Sequence, residues 1–91
     1  MTNYFKKIIC DKISSIIEIE KNEIHGWIEI PKEKNMGDFA LPCFKLSKHL
    51  KKNPRQIAEE LKDEFRNIPQ FSEIEAVNGY LNFKIDPIAL I

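Results

Sequence analysis

The sequence predicts an α+β fold, a two-layer sandwich in which helices cover one face of a small, mostly antiparallel sheet. Apolar residues recur at helical spacing in three segments of the chain, and they alternate with polar residues in three others. An Asn-Gly pair at positions 78–79 joins the last two alternating segments, and such a pair strongly favours a β-hairpin. The length of 91 residues, with 43% apolar and 31% charged residues, indicates one globular domain with a small core.

The first third of the chain predicts one helix and one strand. An apolar stripe that starts at Phe5 predicts a helix over residues 2–16. Residues 17–20 alternate between Ile and Glu, which fits either a frayed helix end or a short strand, and residues 21–23 form a polar break. Residues 27–30 again alternate between apolar and polar side chains. A glycine precedes them and a proline follows them, and this pattern predicts a strand.

The centre of the chain predicts two helices that meet at a sharp corner. A Gly-Asp turn at 37–38 leads into a helix predicted over 39–51, with a proline in its first turn, where the missing N–H is tolerated. Asn53 is a helix cap and Pro54 a favoured first helical residue, so a second helix is predicted over 54–66. The apolar stripe of the first of these helices consists of Phe39, Cys43, Leu46 and Leu50.

The last third of the chain predicts a hairpin with strands at 73–77 and 80–85. Alternation gives the second strand a buried face of Leu81, Phe83 and Ile85. Its opposite, outward face carries Tyr80, Asn82 and Lys84. The expected core consists of Leu46, Leu50, Ile57, Leu61, Phe65, Leu81 and Phe83. Asp86 and Pro87 then begin a new helix just before the sequence stops, so we expect it to be a fragment of a longer protein.

Composition excludes several classes of protein. The formal net charge is zero, so overall charge gives no indication of nucleic-acid binding and only local clusters can. The two cysteines, Cys10 and Cys43, lie on predicted apolar helix faces without metal-ligand spacing, which predicts buried thiols. No apolar run approaches the ~18 residues of a membrane span, and the first residues lack the apolar centre of a signal peptide. We therefore predict a cytoplasmic protein without a membrane partner.

The residues alone indicate no enzyme. His25 and His49 are far apart in sequence, no serine or cysteine has recognisable His and acid partners, and no Gly-rich phosphate loop is present. The helix predicted over 54–66 carries several acids, which fit a solvated face better than a paired-carboxylate site. These acids are Glu59, Glu60, Asp63 and Glu64. We predict no catalytic residue and no metal site.

Two surfaces are candidates for binding RNA. The first is a basic run without acids between Phe39 and Ala58, in which Lys45, Lys48 and Lys52 are expected to share a helix face. It consists of Lys45, Lys48, Lys51, Lys52 and Arg55. Several cations on one surface favour phosphate binding, because they release counterions from a nucleic acid, although a solvated helix face has the same pattern.

The second candidate is the outward face of the last strand. A tyrosine ring stacks on a splayed RNA base, an amide recognises a base edge and a lysine contacts phosphate. The alternative is an ordinary exposed sheet face. These residue types occur there in alternation as Tyr80, Asn82 and Lys84.

Five blocks of the sequence resemble a known family in their order and spacing. They are Gly37-Asp38-Phe39-Ala40, Leu46-Ser47-Lys48, Lys51-Lys52-Asn53-Pro54, Ile57-Ala58-Glu59 with Leu61, and Gly79-Tyr80-Leu81-Asn82-Phe83. Together they resemble the N-terminal additional domain of arginyl-tRNA synthetase over essentially the whole chain. The resemblance implies a tRNA-binding module that contacts the D-loop corner of tRNA(Arg), with Tyr80 and Asn82 as the expected base-binding pair. The chain departs from the family where Val77-Asn78-Gly79 replaces a frequent Gly-Pro-Gly, so Asn78 is a further candidate contact, and where Ser47 replaces a common alanine.

The resemblance also implies what the chain lacks. The domain is expected over residues 1–85, with 86–91 as the start of a linker to a catalytic domain in cis. That absent domain would supply the activity, an ATP-dependent class I arginine–tRNA ligase, and would bind ATP and Mg²⁺, whereas this fragment would bind neither. Two alternatives remain: a free-standing protein-interaction module whose basic corner docks an acidic partner, and a general binder of structured RNA.

Overall fold

The computed structural model describes residues 2–33 and 36–90 and confirms the predicted α+β class. The helices are α1 (Thr2–Ile16), α2 (Lys21–Trp27), α3 (Cys43–Leu50) and α4 (Pro54–Glu64), followed by a terminal 3-10 helix (Pro87–Leu90). The strands are β1 (Phe39–Pro42), β2 (Phe71–Val77) and β3 (Tyr80–Ile85). Met1 and Ile91, which belong to the predicted segments 1–85 and 86–91, lie outside the described residues. None of the described helices is long and apolar enough to cross a membrane.

The three strands form one antiparallel sheet in the order β1-β3-β2, so β3 lies at its centre. Leu41 of β1 is paired with Leu81 of β3, and Phe83 is paired with Phe39, so these apolar residues share one face of the sheet. Ala40 is paired with Asn82 and lies on the opposite face, which we call the outer face.

The core lies between the apolar face of the sheet and the helices. Phe83 is fully buried, with its ring centre 4.9 Å from that of Phe65 and 5.3 Å from that of Phe71. Phe5 of α1 adds a ring 6.4 Å from Phe71. Of the seven predicted core residues, six are buried and Leu50 is half-buried at the edge of the core.

The helix predicted over 39–51 is wrong in its first turn, because residues 39–42 form β1 and α3 begins only at Cys43. The residue before a proline is disfavoured in the helical region, so Leu41 is extended and Pro42 becomes the N-cap of α3, with φ −75° and ψ 102°. All four residues of β1 are buried, which a one-sided helical stripe does not require.

The strand predicted over 27–30 is also wrong, because α2 extends through Trp27 and only Glu29 makes a bridge to the sheet. Glu29 and Ala40 exchange two backbone hydrogen bonds of 2.8 Å at the free edge of β1. The polar residues 21–23 are the first turn of α2 rather than a break, and the helix is held by its fully buried Ile24. Residues 17–20 form no regular element.

Two turns fix the ends of β3. The hairpin turn has φ 49° at Asn78 and 82° at Gly79, and positive φ at both positions is the type I′ geometry that Asn-Gly predicts. At the other end, Gly37 has φ 87°, and the Asp38 N–H donates to the Phe83 carbonyl over 2.7 Å. The Asp38 carboxylate accepts from the Ile85 N–H over 2.8 Å, so this turn continues the pairing of β1 with β3.

Candidate nucleic-acid interface

The outer face of β3 carries the predicted row of Tyr80, Asn82 and Lys84, since Leu81 and Phe83 occupy the buried face. Tyr80 is half-buried and Lys84 is exposed. Three residues lie between these two in the strand, and the four steps along it span about 13 Å, so they lie at opposite ends of the outer face. Lys84 borders a pocket of about 420 Å³ that Gly37 and Asp38 also line, away from the hairpin turn.

Asn82 is buried, with only 4% of its surface exposed, so the expectation of an exposed amide is wrong. It lies in the central strand, where Ala40 of β1 and Glu75 of β2 flank it on both sides. Neither its side-chain oxygen nor its nitrogen has a hydrogen-bond partner among the described residues. A buried amide without a partner is uncommon and requires an explanation.

Tyr80 packs against Phe44, a residue that the sequence analysis did not select. The two ring centres are 5.8 Å apart with an angle of 85° between the planes, an edge-to-face pair. Phe44 is 43% exposed, although it follows the fully buried Cys43. The one signal for Phe44 in the sequence was that it is a large apolar residue outside the apolar stripe of α3.

The hairpin turn brings the first turns of two helices to Tyr80. The Gly79 carbonyl accepts from the Cys43 N–H of α3 over 2.9 Å, and a Cβ at Gly79 would lie 3.4 Å from the Pro54 side chain of α4. Exposed Asn78 and Arg55 line the same pocket of about 230 Å³ between α4 and the turn. Asn78 and Arg55 therefore lie at the Tyr80 end of the sheet.

The basic run does not form one helix face. Lys48 is exposed one helical turn after Phe44, and half-buried Lys45 lies one turn before His49, whose ring is 5.8 Å from that of Trp27. The expectation that Lys45, Lys48 and Lys52 share a face is wrong for Lys52, because α3 ends at Leu50.

Lys51 ends α3 in the left-handed conformation, with φ 55°, and its N–H donates to the Ser47 carbonyl. Lys52 then turns to α4, where its ammonium lies 3.3 Å from a carboxylate oxygen of Glu60. Within residues 2–33 and 36–90, Lys48, Lys51 and Arg55 make no salt bridge. Their charges are therefore available to phosphate, whereas that of Lys52 is partly neutralised.

The acidic face of α4 is a solvated surface, as the sequence indicated. Its carboxylates are exposed, and three of them pair with Lys12, Lys52 and Arg66 at 3.8, 3.3 and 2.7 Å. The described residues contain no group of three potential metal ligands. Cys10 and Cys43 are buried free thiols, as predicted. Burial raises the pKa of Cys43 to about 12 and also raises the pKa of Cys10, so neither forms a reactive thiolate near neutral pH.

Comparison with known proteins gives concordant matches. Residues 3–85 match the family described as "Arginyl tRNA synthetase N terminal domain". The arginine–tRNA ligase of Clostridium kluyveri is 45% identical over 82 residues, which cover 90% of this chain and 14% of that protein. The enzyme of Clostridium botulinum Loch Maree is 42% identical over 87 residues, covering 96% and 15%. The structure of Thermus thermophilus arginyl-tRNA synthetase matches with a TM-score of 0.60 and 38% identity, over 69% of this chain and 11% of that one. This chain thus spans about one seventh of the length of its bacterial relatives.

Proposed function

The chain belongs to the arginyl-tRNA synthetase N-terminal domain family, and from that membership we propose that it binds tRNA(Arg) at the D-loop corner. There it positions the tRNA for arginylation by a catalytic domain in cis. Its relatives are named arginine–tRNA ligases, which supports that activity for the protein from which the domain derives. Residues 1–85 form the binding domain in this proposal, residues 86–91 begin the linker, and the whole protein acts in the cytoplasm.

The observation that carries the proposal is the unpartnered amide of Asn82, two residues along β3 from Tyr80 and on the same face of the sheet. A side-chain amide offers two donors and an acceptor, and RNA loops present unpaired bases whose edges need such partners. A base stacked on Tyr80 lies two residues along the strand from Asn82, on the same face of the sheet. The side chains that flank Asn82 must move aside for its amide to be reached.

In this proposal, exposed cations of α3, of its C-terminal end and of α4 supply the contacts to phosphate. Lys48, Lys51 and Arg55 are exposed and free of salt bridges within the described residues, and Asn78 projects from the hairpin turn. Phosphate contacts fix the register of a bound nucleic acid, whereas base contacts select its sequence. Lys45 and Lys52 are weaker contributors, because one is half-buried and the other is paired with Glu60. Lys84 reaches the backbone only at the far end of the outer face.

The catalytic chemistry belongs to the catalytic domain. The sequence contains no Gly-rich phosphate loop, and the described residues contain no cluster of metal ligands. Because the relatives are named arginine–tRNA ligases, we assign the class I active site, ATP and Mg²⁺ to that domain and propose that the residues of this chain bind and orient tRNA.

The test compares Tyr80→Ala and Asn82→Ala with the wild type, in this chain and in a chimera in which it replaces the matching domain of the Clostridium kluyveri ligase. Tyr80→Ala should lower tRNA(Arg) affinity by about tenfold or more, since base–aromatic stacking contributes about 1–3 kcal/mol. Asn82→Ala should mainly reduce discrimination between tRNA(Arg) and transcripts with a changed D-loop base, because an amide recognises edges while a ring only stacks.

Tyr4→Ala is the matched control, because Tyr4 is an exposed tyrosine on α1 and should leave binding unchanged. Equal affinity for tRNA(Arg) and for D-loop variants would refute the proposed contact and favour a general binder of structured RNA. Stronger binding to an acidic protein than to tRNA would favour the interaction module. Unfolding of Tyr80→Ala would show that the tyrosine is part of the core and that the outer face is not the binding surface.

A further inference from the structure

Packing in the core does not explain the phenylalanine at position 44, because its side chain lies on the surface. It lies on the flank of α3 next to the outer face and is 43% exposed, whereas Cys43 and Leu46 of the same helix are fully buried. Its ring packs edge-to-face on Tyr80, and Lys48 follows one turn later on the same flank. Phe44 thus lies next to a tyrosine that we propose stacks on RNA and a lysine that we propose binds phosphate.

We propose that Phe44 is a positioning residue that holds the Tyr80 ring in the orientation required for stacking on an RNA base. This inference rests on the proposed function, because it assigns to Phe44 an action on the same base contact. It places the first turn of α3 within the recognition surface, although sequence alternation had placed only β3 there.

Backbone contacts make this support rigid. The Cys43 N–H, which precedes Phe44, donates to the carbonyl of Gly79, which precedes Tyr80, over 2.9 Å. The two aromatic residues are thus neighbours of two hydrogen-bonded residues, and their relative position is fixed by the main chain. Tyr80 is also the first residue of β3, paired with Val77 and with Pro42, so its backbone has little freedom.

What the backbone leaves free is the ring of Tyr80, and this is the part that Phe44 constrains. A half-buried tyrosine ring at the end of a strand still has more than one rotamer open to it, and binding RNA would have to select one of them. The Phe44 ring, at 85° to that of Tyr80, favours one orientation before RNA arrives. Such preorganisation lowers the entropy cost of binding and therefore raises affinity without a new contact to RNA.

The test is a double-mutant cycle on tRNA(Arg) binding with Phe44→Leu, Tyr80→Ala and the double variant. Phe44→Leu should weaken binding by about two- to tenfold. This is the change in Kd that corresponds to the free energy of an edge-to-face aromatic pair. In the Tyr80→Ala background, Phe44→Leu should produce no further loss, because there is no ring left to position. Phe44→Tyr retains the aromatic contact and should bind like the wild type.

The outcomes separate this inference from the proposed function. If Tyr80→Ala has no effect on binding, the proposed contact fails and the role of Phe44 fails with it. If Tyr80→Ala weakens binding and Phe44→Leu causes an equal loss in both backgrounds, only the positioning role is refuted and Phe44 contacts RNA directly. Full binding by Phe44→Leu also refutes it. The urea midpoint of each variant shows that it is folded, and Phe44→Met replaces Phe44→Leu if the leucine variant is not.

Discussion

Replacing Asn82 with valine should stabilise the free domain and impair its recognition of RNA at the same time. The amide is 4% exposed in the central strand and has no partner among the described residues. In the free protein its donors and acceptor are therefore shielded from bulk water without a compensating hydrogen bond to those residues. Valine removes the amide, and as a β-branched residue it suits a position between two paired strands.

The size of the effect follows from the cost of the amide. A buried polar group without a hydrogen bond costs about 1–3 kcal/mol, so Asn82→Val should raise the free energy of unfolding by about that amount. Asn82→Ala removes the same cost but leaves a gap beside Ala40 and Glu75, so its gain should be smaller.

Urea unfolding of the wild type and both variants measures this effect, with Lys84→Val as the matched control. Lys84 lies on the same strand and the same face but is exposed, so its replacement reports the strand preference of valine alone. The difference between the two valine variants isolates the amide. A destabilised Asn82→Val protein would refute the reasoning, since it would show that the amide is satisfied in the free domain and supports the fold.

Two further predictions concern charge and the Gly37 turn. Lys48→Ala should reduce the magnitude of the slope of log affinity for tRNA against log salt by about 1, the value for the loss of one phosphate contact. Lys52→Ala should change this slope less, because the Lys52 ammonium lies 3.3 Å from Glu60. Binding measured at several salt concentrations compares the two variants. An unchanged slope for Lys48→Ala would show that this lysine is only a solvated surface residue. Gly37→Ala should cost about 1–3 kcal/mol in urea unfolding, because φ is 87° and the new Cβ would lie 2.8 Å from the Phe83 carbonyl oxygen. Gly26→Ala in α2 meets no atom within 4 Å and should not destabilise, and equal midpoints for the two alanine variants would contradict the close approach.

The elements predicted correctly are those whose signals are local. Asn78 and Gly79 specify a type I′ turn by themselves, and the stripe that starts at Phe5 spans a complete helix. The first turn assigned to α3 was wrong because Phe39 and Cys43 have helical spacing by coincidence, while pairing of β1 with a strand some forty residues later decides the structure. The restriction before Pro42 was the local signal against that helix.

The sequence predicted which residues lie on the outer face, but not how deeply they are buried or which residues of other elements they contact. Alternation places Tyr80, Asn82 and Lys84 on one face, whereas the burial of Asn82 depends on the strand order, which puts β3 between two neighbours. Phe44 and Tyr80 meet only because α3 begins beside the hairpin turn. Lys52 does not lie on the predicted basic face, because Lys51 takes a left-handed conformation that ends the helix. All of these outcomes depend on long-range pairing or on a helix end, which periodicity does not report.

The hairpin turn joins the core of the domain to the outer face that we propose as its binding surface. Its Gly79 contacts the first turn of α3 through a hydrogen bond and lies against Pro54 at the start of α4, so three elements meet directly before Tyr80. Because Asn78 and Gly79 both accept positive φ without strain, Tyr80 enters β3 in register with Val77 and Pro42. The apolar face of the same strand is buried in the core, which fixes the strand that carries the outer face. An uncompensated amide at Asn82 is tolerable in such a strand, since the core and the turn hold its position whether or not RNA is bound.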